Sequence, residues 1–203
     1  MRRADAVAGL AGLTSAAALC LSLPPLRVLI EQGMAWHMAV QMPLLLAAGA
    51  LTAWASTRSH VARALGPWNA YGLSGLILAQ VALAYWMLPS AIDRAVVLPA
   101  ADAAKLLTLW LAGAALRHAA ERAPPVLQLF FIGYTVPMLM WLGFYFAGTE
   151  RRLCNAYSLA SQVQAGWALV GWGIALAGGW LGWIGWRHVT PRRWHAGQAR
   201  GAA

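Results

Sequence analysis

Carboxylates are scarce in this chain. Asp and Glu together number six among 203 residues, and all charged residues amount to 10%. A soluble domain carries about 25% charged residues, so no water-facing surface of ordinary size can be assembled from this composition. The six acids, Asp5, Glu31, Asp93, Asp102, Glu121 and Glu150, are scattered. Neither they nor the serines and cysteines form the paired-carboxylate or nucleophile–base groupings that hydrolytic chemistry needs, and no enzymatic turnover is indicated. Cysteine is nearly absent: Cys20 and Cys154 cannot make a disulfide framework. No internal repeat or low-complexity tract is present.

What the chain has instead is apolar length. Hydrophobic residues make up 61% and the mean hydropathy is +0.58. Six stretches each approach the ~20 residues that a helix needs to cross a bilayer, roughly 6–26, 33–56, 68–89, 99–119, 125–148 and 159–186. A lipid-embedded backbone must satisfy its polar groups internally, which helices do within one segment. The expected fold is therefore an all-α, polytopic membrane bundle of about six spans: residues 1–190 form one transmembrane domain, and 191–203 a short basic cytoplasmic tail. Arg2 and Arg3 before an Ala/Leu run imitate a signal peptide, but Leu19 ahead of Cys20 does not suit lipoprotein processing, so the segment is read as a retained span.

The net charge of +9 follows from membrane orientation. The basic residues are spread over loops and form no stripe with interleaved aromatics, so nucleic acid is not an expected partner. Arg2, Arg3, Arg58, Arg63, Arg117, Arg122, Arg187, Arg192, Arg193 and Arg200 fall on one side of the spans; Arg27, Arg94, Lys105, Arg151 and Arg152 fall on the other. Short Lys/Arg-rich loops stay cytoplasmic, which predicts both termini inside a bacterial inner membrane. Six of the twelve tryptophans, among them Trp36, Trp68 and Trp86, sit near span ends, where an indole anchors at headgroup level.

On that topology the methionines beyond the initiator crowd the outer halves of their helices. Met34, Met38 and Met42 recur every four residues and form one stripe, with His37 and Gln41 on an adjacent stripe. Met87, Met138 and Met140 occupy the same side. Thioether sulfur with imidazole is a ligand set that suits monovalent copper. The plainer reading is that methionine, a pliable side chain, fills gaps between helices, and both readings stand on sequence alone. His37 and Gln41 add weight to function, because a polar or ionisable group within a span is costly and tends to face a cavity or a partner. A histidine bonded near the interface marked by Trp36 is the ordinary alternative.

The run His37-Met38-Ala39-Val40-Gln41-Met42-Pro43-Leu44-Leu45-Leu46-Ala47-Ala48-Gly49 resembles the histidine-rich helix of the CtaG-type cytochrome c oxidase assembly factors, which carry two histidines one turn apart before a Pro-Leu-Leu segment. Trp86-Met87-Leu88-Pro89-Ser90-Ala91-Ile92-Asp93 is similar to the family's leucine-proline turn, and Ser161-Gln162-Val163-Gln164-Ala165-Gly166-Trp167 to the motif that opens its last helix. The resemblance implies a membrane protein that helps place copper in a respiratory oxidase. His37 would hold the metal beside Met34, Met38 and Met42, with Met138 and Met140 completing the site and Gln41 supporting it. The chain departs from the family at Gln41, where the second histidine belongs, at Ser161, where an Asp belongs, and at Lys105, near which members tend to offer histidine.

A second expectation is a non-catalytic anchor or accessory subunit of a larger oxidoreductase, with Trp36, Gln41 and Tyr145, aided by His37 and Tyr157, walling a quinone pocket. Its partners are lipids, other membrane subunits, and an extracytoplasmic protein at the loop from Gly148 to Ser161. Haem is disfavoured because His37 lies at one end of the spans and His60 and His118 at the other, so two axial ligands do not converge. A transporter would need charges at the midplane; Pro43 and Pro137 lie within spans, but the acids are read as confined to the loops.

Overall fold

The computed structural model describes residues 2–20, 32–55 and 66–189, and every regular element among them is helical. The all-α expectation holds. Seven helices are seen among the described residues: α1 (Arg2–Cys20), α2 (Met34–Ala55), α3 (Leu73–Trp86), α4 (Pro89–Val97), α5 (Pro99–Arg122), α6 (Pro125–Gly148) and α7 (Leu159–Val189). The tail at 191–203, His60, and the loop arginines Arg27, Arg58, Arg63, Arg192, Arg193 and Arg200 lie outside the described residues.

Proline sets the helix starts. Pro89, Pro99 and Pro125 each occupy the first turn of α4, α5 and α6, where the missing N–H costs nothing and the fixed φ suits the helix. The residue before each is driven extended: Leu88, Leu98 and Pro124 have ψ of 130°, 116° and 155°. At Leu88 this turns the chain by 76° between α3 and α4.

Among the described residues, three helices are long and apolar enough to cross a membrane: Met34–Ala55, Pro125–Gly148 and Leu159–Trp186. The bent pair α3–α4 makes a fourth if it counts as one broken span. The long α5 is not among them. It carries Asp102, Lys105, Arg117, Glu121 and Arg122, and it packs between α2 and α3, so its interior charges meet protein instead of lipid. The bundle runs α1–α2–α5–α3, with α7 resting on both α2 and α6. Large apolar side chains on α6 and α7 remain uncovered, Phe130, Trp141 and Trp167 among them, as a lipid-facing surface requires.

Close helix approach depends on glycine. Gly49 of α2 and Gly113 of α5 face each other's chain so closely that a Cβ on Gly49 would collide with the Trp110 carbonyl, and one on Gly113 with the Leu46 carbonyl. Gly143 and Gly166 are paired in the same way across α6 and α7. Small residues at such crossings let backbones pack directly, the main source of association where lipid removes the hydrophobic drive. Gly113→Val is expected to cost about 3 kcal/mol or more by overpacking, read as a lowered thermal midpoint in detergent, whereas Gly178→Ala, with open space around it, should leave the midpoint unchanged.

Candidate functional site

The centre of the candidate site is Lys105, whose side chain is fully buried. It rises from α5 one turn after Asp102, and its Nζ lies 2.8 Å from Asp102 Oδ1. Asp102 stands in the first turn of α5, where the helix dipole favours a negative charge. Across the interface the Lys105 ammonium donates to Gln41 Oε1 at 3.3 Å and lies 3.4 Å from His37 Nε2. Nε2 accepts from the ammonium in the tautomer that carries the imidazole proton on Nδ1. The Tyr157 ring sits 6.2 Å from the imidazole, tilted by 59°.

Local backbone chemistry in α2 turns His37 and Gln41 toward Lys105. Residues 37–41 form a π-helical segment, closed by Met42 N–H to the His37 carbonyl. Such wide turns are rare and concentrate at functional sites. Pro43 follows at once and supplies no N–H, which frees a carbonyl one turn back. The Ala39 carbonyl accepts instead from Trp172 Nε1 at 2.9 Å, so α7 restores the bond that proline removes. The first turn of α2 is capped in the same manner from outside: Met34 N–H donates to Ser161 Oγ of α7 at 2.6 Å.

The 149–158 segment closes this end of the bundle. Gln162, buried, accepts from Leu153 N–H at 2.8 Å and donates to the carbonyls of Arg151 and Phe146 at 3.2 and 3.3 Å. From the other side, both carboxylate oxygens of Asp93 accept from the backbone N–H groups of Asn155 and Ala156, at 2.9 and 3.1 Å. Cys154 and Tyr157 are buried beneath. Burial, and then the charge of Asp93, push the Cys154 thiol up to about 12, so the thiolate needed for reaction or ligation is not formed at neutral pH.

Of the residues singled out on sequence, Met34, Met38 and Met42 are buried with His37 and share one core with Met87 and Cys154. Met138 packs against that core from α6, its Sδ 3.5 Å from Gln80 Nε2. Met140 instead lies against Gly173 of α7, so the two methionines of α6 meet different neighbours. Gln41 points inward at Lys105, while Trp36 is 61% exposed and Tyr145, stacked on Trp141 at 5.8 Å, is 45% exposed. Among the described residues no group of three or more His, Cys, Asp or Glu gathers in metal-holding geometry.

Copper on His37 is poorly served by this donor set. Nε2 already faces an ammonium, and two unit charges 4 Å apart repel by about 4 kcal/mol at an effective dielectric constant near 20. Asp102 Oδ1, Gln41 Oε1 and His37 Nε2, which face Nζ, are harder donors than the thioethers that monovalent copper prefers. Sequence reasoning counts Lys105 among the charges of the outer side and gives Asp102 no role. Their i, i+3 spacing inside the 99–119 stretch, an ionisable pair within a span, was the signal that marks them.

Comparison of the chain with protein-family models, with curated proteins and with solved structures finds no match.

A maleimide should leave Cys154 unlabelled at pH 8 in the folded protein. Gln162→Ala removes two hydrogen bonds to the closing segment and one to Phe146 of α6, and labelling of Cys154 is expected to rise at least several-fold, measured by mass shift against a Cys20→Ser background.

Proposed function

We propose that the chain is a non-catalytic membrane component of a respiratory oxidase system, an assembly or accessory subunit of six spans in a bacterial inner membrane, and that it does not deliver copper from His37. The observation that carries this reading is a convergence. The three segments in which the chain resembles the oxidase assembly factors are far apart in sequence, yet all three border one buried centre. The first supplies His37 and Gln41 to Lys105. The second supplies Trp86 and Ile92 to the shared core and Asp93 to the closing segment. The third supplies Ser161 to the start of α2 and Gln162 to the same segment.

The departures at Gln41 and Lys105 fall within that centre and change its character from a soft-ligand set to a neutralised ion pair. A fold retained with its task altered is the result. In the accessory role, the segment 149–158 offers Arg151, Arg152 and Asn155 at the surface, and this rigidly held face would meet the partner.

Removal of the chain from its host should lower assembled haem–copper oxidase several-fold, read from reduced-minus-oxidised spectra of membranes at unchanged levels of other cytochromes. Mild-detergent purification of the tagged chain should bring oxidase subunits with it. Unchanged oxidase together with a lone polypeptide would contradict the reading.

A further inference from the structure

We propose that Lys105 is the resident cation of this centre: its ammonium fills the position among Asp102, Gln41 and His37 that a metal ion would take, and so closes the centre to metals from outside. Asp102 Oδ1, Gln41 Oε1 and His37 Nε2, at 2.8, 3.3 and 3.4 Å from Nζ, are a carboxylate oxygen, an amide oxygen and an imidazole nitrogen. Each is an acceptor toward a positive charge, and an N/O set of this kind suits zinc or cobalt. The ammonium is tethered to α5 and has no exposed surface, so it does not exchange with ions in solution.

Charge balance supports the same conclusion. Asp102 and Lys105 neutralise each other. An added divalent ion would bring two positive charges beside the ammonium, which repels them. The π-helical turn fixes the arrangement from the α2 side, because it holds His37 and Gln41 both buried and both within reach of one Nζ. The inference deepens the accessory reading, since a centre that keeps its own cation has none to hand on. It concerns metal uptake only, so oxidase content in the host tests the accessory role separately.

The test is equilibrium dialysis of the full chain in detergent against Zn(II) or Co(II), for the wild type, Lys105→Ala, His37→Ala and the double variant. Lys105→Ala should gain a stoichiometric ion over the wild type, and the double variant should lose that gain; with Co(II) the gain carries visible ligand-field bands. Lys105→Arg, which keeps the cation, should gain nothing. A folded Lys105→Ala that takes up no more metal than the wild type would overturn the proposal. Where Lys105→Ala accumulates only when Zn(II) is present during purification, the result supports it. Where that variant does not accumulate at all, the wild type and His37→Ala decide: equal uptake supports the proposal, and a stoichiometric ion lost on His37→Ala overturns it.

Discussion

A lysine ammonium with no exposed surface is the constraint around which this bundle is arranged. An uncompensated charge in a low-dielectric interior costs several kcal/mol, and in lipid no loop water is at hand to lower that cost. Among the described residues, side chains from two helices answer it. Asp102 comes from the same helix, one turn earlier, and Gln41 and His37 come from α2. For the last two to reach one Nζ, α2 and α5 must lie nearly backbone to backbone, which the Gly49 and Gly113 crossing permits. Bulk at the crossing would push apart the very groups that neutralise the charge.

The irregular backbone near the site has the same logic. A π turn and a proline in succession leave α2 short of its usual hydrogen bonds, and in a bilayer such deficits must be met by protein. Trp172 and Ser161, both on α7, meet them. The helix that secures the polar centre is therefore also the one that α6 packs against and that carries Gln162, the residue fastening the closing segment. Fold, site and cover are mechanically one unit at this end of the molecule.

Much of the fold was legible in the sequence because proline and hydropathy punctuate it directly. The starts of α5 and α6 fall at Pro99 and Pro125, where the stretches 99–119 and 125–148 open, and the four-residue spacing of Met34, Met38 and Met42 marks a helix face that is buried together with His37 and Gln41. The helix α4 did not follow: the stretch 68–89 ends at the Leu88-Pro89 turn, but residues 89–97, left between stretches, form a helix of their own. Nor did the status of α5: its composition fails the test of a lipid-facing helix, although its length is ample. Lys105 was the instructive miss. Counted as a boundary charge, it looked like a contributor to orientation; only the three-dimensional meeting of α5 with the π turn of α2 reveals what it faces. Met138 and Met140 show the converse, a pairing suggested by proximity in sequence that separate neighbours divide.

The central claim is that Asp102 and Lys105 act as one neutral unit inside the bundle, and a double-mutant cycle in thermal or denaturant unfolding measures it directly. Breaking a buried pair by removing one partner costs about 3–5 kcal/mol, whereas replacing both with apolar residues of similar volume is often near neutral. Asp102→Leu and Lys105→Met are each expected to destabilise strongly, and the two together far less than their sum. Single changes that are silent, or effects that simply add, would contradict the account.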